Sequence, residues 1–539
     1  MFVIYFYYSG CRPTLLQGSE KDFLLKLPTI AKCRPVGDTD GIVNLSERGL
    51  TGFSSIPILF VLLGASLFTT SCMTQVLAVT PTADAMDNAQ QALSALQLVN
   101  PATNSEIEGY ASATSVNRGE DIKLYVNTKE PSYTIEVLRV GWYGGRGMKR
   151  MTAAIARHGL AQAPPVVDTA SGLIECDWQD PYVLHVPNTP DPTDWPSGIY
   201  VAKLTAESSG KQSYIVFVVR DDRRPSDLLF QSSVTTYQAY NEWGGRSLYS
   251  KPRATKVSFN RPYQHGHGAG HLLYWELSLV RFLEKEGYDV TYTTDVDTHE
   301  RGDLLSLHKA FLSTGHDEYW SWQMRDSVEA ARDNGVNLAF FGANVAYWQI
   351  RFEPSPITGD PDRTIICYKN RNSDPVSHSD DLSTRRLTTV KFRSHPVDRP
   401  EDALVGVMYE SDPVQSDIVV TDASSWVFEG TGLKNGDHLH DLLGYEVDRS
   451  SDHTPPGAHR IAHSPYPFRG NTRYADMMVY TVPSGSTVVA TGTMQWSWAL
   501  LDPGMEGKKY ENPAVQTATR NIFRRFGARP GISKIGSMQ

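Results

Sequence analysis

Three short clusters carry side chains able to bind a ligand or move protons: Tyr237–Gly245 (YQAYNEWGG), Gly315–Trp320 (GHDEYW) and Gly342–Trp348 (GANVAYW). Each directly follows a stretch that reads as a β-strand, so strand ends could bring all three into one pocket. Taken singly, each has a plainer reading: Tyr and Trp pack well at strand ends, and Asp317 or Glu318 would stabilise the dipole of a following helix. The run HGHGAGH presents His265, His267 and His271, but its spacing has no helical face to preorganise a metal, and it reads first as a glycine-rich loop. The sequence holds no GxSxG elbow, no HExxH and no Walker A loop, which removes the main support for serine-hydrolase, zincin and P-loop readings. Neither Cys176 nor Cys367 follows a core strand beside a histidine, so a cysteine nucleophile is poorly placed.

The elements that must position these clusters fall into two patterns. From about Glu106 to Asp222 the pieces are short, alternating and rich in β-branched residues, separated by Gly, Pro and Asn; this spacing predicts an Ig-like, all-β sandwich. After the charged, proline-closed stretch Asp221–Pro225 (DDRRP) the period changes. DLLFQSSVT, YDVTYTTD, KAFLSTG and VNLAFFGAN read as strands. HLLYWELSLVRFLEKEG and YWSWQMRDSVEAARDNG read as helices, the first ending at Gly287. Alternating strands and helices predict a parallel α/β sheet, whose ligands bind outside the carboxyl ends of its strands. STVVATGTMQWSWAL reads as a late strand returning to that sheet, and NPAVQTATRNIFRRFG as a closing helix. The expected organisation is therefore a leader and linker over 1–100, a β-sandwich over 101–222, an α/β domain over 223–530, and a loose tail over 531–539.

The leader reading rests on Ile56–Phe68 (IPILFVLLGASLF), thirteen apolar residues preceded by Arg48 and followed by small residues. That is too short to span a bilayer comfortably and suits the core of an export signal, with cleavage near Ala85. An exported, secreted or envelope-associated protein is expected, with no stable membrane span in the mature chain. Cys72 sits where a lipoprotein signal places its acceptor, but Thr69 stands where that signal usually has Leu. After such processing Cys176 and Cys367 are the cysteines left, and sequence does not say whether they pair.

Composition bounds the partners. The chain has 539 residues, with 51 Lys+Arg against 60 Asp+Glu, a formal charge of −9; that is the wrong sign for attraction to phosphate backbones, and nucleic-acid binding is disfavoured. Hydrophobic residues at 40% and charged residues at 21% describe a packed globular protein rather than a disordered one.

Read together, LLFQSSVTTYQAYNEWGGRSLY, FLSTGHDEYWSWQMRDSVEAARDNGVNLAFFGAN and LLGYEVD resemble the large (beta) subunit of N,N-dimethylformamidase and its relatives. The resemblance covers roughly residues 106–530 and implies a glutamine-amidotransferase-like, flavodoxin-like α/β domain. Its elbow position is held by Ala343 and Asn344 instead of a cysteine. It further implies a mononuclear iron, in the ferric state, held by Tyr200 of WPSGIY, Tyr237 of TTYQAY and Glu318 of GHDEYW, with Tyr240 the alternative to Tyr237. Phenolates and a carboxylate are hard oxygen donors suited to such an ion. The resemblance places His316 as base or proton carrier, Asn344 on the amide oxygen or the water, and Glu446 at the leaving amine. The implied activity is hydrolysis of the C–N bond of a small amide by metal-activated water. An export signal departs from this family pattern. An exported, non-catalytic ligand- or carbohydrate-binding protein on the same fold is the alternative, and a homo-oligomer or a companion small subunit stays open.

Overall fold

Strand alternation builds the first layer. In Asp121–Thr128 the residues Ile122, Leu124, Val126 and Thr128 are buried while their neighbours face outward, and Ser132–Val140 repeats the pattern with Tyr133, Ile135 and Val137. The computed structural model describes residues 98–191, 193–501 and 510–531. The apolar run Ile56–Phe68, Cys72, the cleavage region near Ala85 and most of the 531–539 tail lie outside the described residues. One sheet joins Ile107–Ala111, Asp121–Thr128 and Tyr182–His185. A six-stranded sheet runs Ser115–Asn117, Gln212–Arg220, Gly198–Ala206, Ser132–Val140 and Met148–Arg150, with Ile155–His158 also on Ser132–Val140. Both sheets contribute to one apolar core, in which Trp195, Tyr200 and Phe217 stack in series.

The charged stretch Asp221–Pro225 is fastened at both ends, at the far one by Arg224 pairing with Asp289. Arg220 pairs with Asp222 and with Asp297 at 2.9 Å each, and Arg118 holds Asp221 at 3.1 Å. Deeper in the contact, the Arg139 guanidinium donates to both oxygens of Glu284 (2.6 and 3.2 Å), to the Ser197 carbonyl (2.8 Å) and to the Tyr143 hydroxyl (2.7 Å). Burial opposes the charge of Arg139, and Glu284 more than compensates, holding it protonated. The described residues accordingly form one compact unit.

The second layer is a seven-stranded sheet in the order Val290–Thr294, Leu228–Ser232, Ala310–His316, Asn337–Ala343, Thr487–Ala490, Asn471–Thr481, His459–Phe468. The first five strands are parallel and the last two join antiparallel. Both faces are covered: Leu228, Phe230, Leu312 and Phe341 enter one core, Leu229, Phe311, Leu338 and Phe340 the other. This is why these strands read as continuous apolar runs. The expected helix after Glu318 begins later than its sequence suggests, because Ser321 caps it by accepting from the Met324 amide. Tyr319–Ser321 is a short strand and the helix is Trp322–Asp333. The helix ending at Gly287 opens with a π-helical turn, Leu272–Glu276, before Leu277–Glu286 continues as α-helix; Gly287, at φ 75°, closes it. The return segment locks onto that turn, for Trp498 stacks on Trp275 at 5.0 Å and its indole N–H donates to the Tyr274 carbonyl at 2.7 Å. A long, bulged hairpin, Met408–Val419 with His438–Arg449, fills the stretch between the fourth and fifth parallel strands. Among the described residues no helix is long and apolar enough to cross a membrane. Cys176 and Cys367 are both buried and free, not paired.

Because Arg139 is a buried charge joining the two layers, Arg139→Ala should destabilise the protein by about 3–5 kcal/mol in urea unfolding. The paired change Arg139→Met with Glu284→Leu should lose clearly less. Equal losses in the two would mean that packing rather than charge carries the contact.

Candidate functional site

The parallel strands occur in space as second, first, third, fourth, fifth, so the winding direction reverses between Leu228–Ser232 and Ala310–His316. A crevice opens beyond the carboxyl ends of strands at such a point, and the sequence clusters meet there. The helix Val234–Tyr240 follows the first of these strands; Asp317 and Glu318 follow the second. Gly315, at φ 66°, turns the chain just before His316, and a Cβ there would lie 2.4 Å from that of Trp275 in the π-turn. Only glycine admits so close an approach.

Glu318 is the centre. Its Oε2 accepts from the Tyr240 hydroxyl at 2.9 Å, and the Tyr249 hydroxyl bridges both its oxygens at 2.9 and 3.1 Å. The two phenol rings stack at 4.2 Å, and Tyr319 donates to the Tyr249 oxygen at 2.6 Å. His316 Nε2 lies 3.3 Å from Glu318 Oε2 and 3.3 Å from Glu446 Oε2, the latter brought in by the strand His438–Arg449. Those two contacts are ion-pair distances rather than aligned hydrogen bonds, and His316 Nε2, Glu446 Oε2 and the Asn344 side-chain oxygen all remain buried without a hydrogen-bond partner. Asn344 turns at φ 56° immediately after its strand, and its backbone N–H donates to Asp448 at 2.8 Å. Lys369 places its Nζ 3.4 Å from the centre of the Tyr249 ring.

The charges follow from burial and neighbours. Burial would raise the Glu318 carboxyl, but His316 and Lys369 outweigh it and keep the group ionised below its usual range. Burial likewise disfavours charge on His316, yet Glu446 and Glu318 push it up to about 10. Burial draws Lys369 down to about 8 and raises Glu446. Tyr240 and Tyr249 are raised well above the ordinary phenol value by burial and then by Glu318, so both are neutral donors unless a further positive charge joins them. Two phenols and a carboxylate with oxygens 2.9–3.1 Å apart form a hard, all-oxygen donor set. That chemistry and the unpartnered buried atoms beside it fit a ferric ion.

The structure brings together His316, Glu318 and Glu446 from the sequence-derived set, with Asn344 at the adjoining strand end. It does not bring in the other two. Tyr200 lies in the sandwich core and donates to the Pro196 carbonyl at 2.7 Å, the structural role that a strand tyrosine commonly has. Tyr237, three residues before Tyr240 on one short helix, packs on the same His271 ring but sends its hydroxyl elsewhere, to Ser232 at 3.3 Å and Glu276 beyond. The phenol hydroxyls that do meet Glu318 are those of Tyr240 and Tyr249. Tyr249 ends the motif LLFQSSVTTYQAYNEWGGRSLY and Asp448 ends LLGYEVD, so both lay within motifs already in view; Lys369 gave no sequence signal. His271 packs on the rings of Tyr237 and Tyr240, but among the described residues the HGHGAGH histidines form no metal-ligand group.

A family model described as N,N-dimethylformamidase beta subunit-like, C-terminal, matches residues 134–512. The chain belongs to that family. Two curated relatives, the N,N-dimethylformamidase beta subunits of Paracoccus aminophilus and of an Alcaligenes species, are each 22% identical over 329 residues, 54% of this chain and 42% of the relative. The matched stretch thus spans less than half of those proteins. Among solved structures, a Pseudomonas fluorescens alkylpurine DNA glycosylase overlaps 25% of this chain and 36% of its own at 13% identity with a TM-score of 0.14, and murine CEACAM1b 23% and 62% at 12% with 0.12. Likenesses that low carry no argument about fold or function.

The Tyr237 pocket yields a pH test. Glu276 accepts from the Ser233 amide and the Ser232 hydroxyl at 2.8 Å each, and burial raises its carboxyl from 4.5 to about 7. A folded-state value above the unfolded one means stability that is full below pH 4.5 and lost as pH rises through 7, amounting to roughly 3 kcal/mol. Glu276→Gln should therefore gain stability over the parent between pH 5 and 7.5 in urea titrations. A constant difference across that range would show that Glu276 is ionised when folded.

Proposed function

We propose that the protein is an iron-dependent amidohydrolase that cleaves the C–N bond of a small amide with water, giving a carboxylic acid and an amine. The observation that carries this reading is the convergence of the buried Tyr240 and Tyr249 phenols on the buried Glu318 carboxylate. These three would hold a mononuclear ferric ion, in place of the Tyr200, Tyr237 and Glu318 set expected from sequence. When bound there, such an ion supplies Lewis-acid polarisation of a carbonyl and acidifies a water.

The chain's own groups would do the rest. His316, set between two carboxylates, holds a proton at Nε2 and passes it to Glu446. Glu446, whose carboxyl burial raises, is placed to deliver that proton to the departing amine. The Asn344 side chain, with its oxygen unpaired, orients the substrate amide. Lys369 favours negative charge on the Tyr249 oxygen. Tyr240, Tyr249, Tyr319 and Tyr347 wall the site with aromatic surface, which excludes water and suits a small, weakly polar amide. The strand order second, first, third, fourth, fifth supports reading this domain as flavodoxin-like and amidotransferase-like, and the relatives' description as beta subunits supports a companion subunit. Export through Ile56–Phe68 belongs to the same proposal.

Iron analysis of the purified protein, with a visible spectrum on the same sample, tests the site. Near one iron per chain with a tyrosinate-to-iron charge-transfer band is expected. Tyr240→Phe and Tyr249→Phe should each weaken or shift the band, Glu318→Gln should lose the metal, and Tyr200→Phe and Tyr237→Phe should leave both unchanged. Protein that stays metal-free after iron supplementation would transfer the reading to a non-catalytic binding protein. With iron retained, Glu446→Gln should lower kcat on small amides by roughly 10²–10⁴-fold; an unchanged kcat would remove Glu446 from the proton path.

A further inference from the structure

The hairpin that carries Glu446 carries a second convergence of ligand atoms on its outer half. In its register Ser416 faces Leu443 but Ile418 faces Leu439, so a bulge sets Asp417 alone against residues 440–442. His438 and His440 are two apart on one strand and therefore point to the same side. Their Nδ1 atoms lie 3.0 and 2.9 Å from the same oxygen, Asp417 Oδ2. The other oxygen, Oδ1, accepts the Asp441 backbone N–H at 2.9 Å, which fixes the plane of the carboxylate. Asp441 turns at φ 57°, which aims that N–H across the bulge.

Two imidazole nitrogens converge on one carboxylate oxygen, which has lone pairs for both. The same arrangement suits a cation: three ligand atoms lie within 4.8 Å of one another, on one face, with a backbone donor orienting the carboxylate from behind. All three residues are solvent-accessible, so water can complete the coordination shell. One carboxylate and two neutral imidazoles give a site of charge −1, attractive to a dication. The donor set also chooses which dication. Nitrogen-rich ligation favours a borderline ion such as zinc, unlike the all-oxygen set at Glu318.

We infer that Asp417, His438 and His440 form a surface site for a borderline divalent cation, zinc being the simplest, separate from the Glu318 centre. A bound ion would clip the two strands of the hairpin together, six residues from Glu446 along the same strand.

Zinc titration of untagged, chelator-stripped protein by calorimetry tests the site, with Glu318→Gln removing the other centre. One zinc per chain should bind to the parent and to Glu318→Gln. His438→Ala with His440→Ala, and Asp417→Asn, should each weaken that binding by more than about 100-fold, beyond the usual cost of losing a supporting residue. Equal zinc uptake by parent and double variant, or none by the parent at pH 7.5, overturns the proposal. Copper electron paramagnetic resonance on unmutated chain avoids dependence on the variants' folding. Coupling to two nitrogens in Glu318→Gln and parent alike is expected, and its absence overturns the assignment.

Discussion

A carboxylate sealed from water is the constraint around which the rest is arranged. Glu318 is almost wholly buried, and an ionised group there would be untenable without compensation. Its surroundings are drawn from far apart in the chain: Tyr240 from a short helix, Tyr249 from the loop beyond it, His316 from the same strand end, Lys369 from a later turn and, through His316, Glu446 from a distant hairpin. No single element could supply two cations and two hydroxyls to one point. The winding reversal between the two central strands opens the space in which they meet.

The β-sheet layer provides no side chain to that centre, and its tie is indirect. Arg139 grips Glu284 on the helix Leu277–Glu286, whose opening π-turn carries Glu276 and the Trp275 backbone against Gly315. The strand end bearing His316 and Glu318 is thus backed by a helix that the sheet layer holds in register. The polar contacts run in one direction, from sheet layer to helix, from helix to glycine, and from glycine to the site.

Much of this was legible in the sequence. The two periods separated a sheet-rich region from an alternating strand and helix region, and the strands came where apolar runs ended in His316, Asn344 and the first tyrosine cluster. His316 and Glu318 were readable because a two-residue spacing at a strand end sets both on one side. Tyr237 and Tyr240 were not separable, since residues three apart on a helix share a face and both rings pack on His271; only their hydroxyls part, one toward Ser232 and Glu276, the other to Glu318. Tyr200 misled because an aromatic strand residue looks alike whether it ligates or packs. Tyr249 and Lys369 stand in irregular segments without periodicity, and their role depends on long-range folding alone. The long hairpin around Glu446 was hidden by its bulges, which break the alternation that marks a strand.

The lock between Trp498 and the π-turn at Tyr274 and Trp275 has a consequence in time. The turn positions Gly315 but is itself clamped by a residue more than two hundred positions later in the chain. On a ribosome adding about 5–20 residues per second, a nascent chain waits on the order of 10–50 s between emergence of Tyr240 and of Trp498. During that interval the central strands can pair, but the polar groups meant for one another face water or a chaperone. The centre therefore matures only after Trp498 has emerged, later than the strands that surround it.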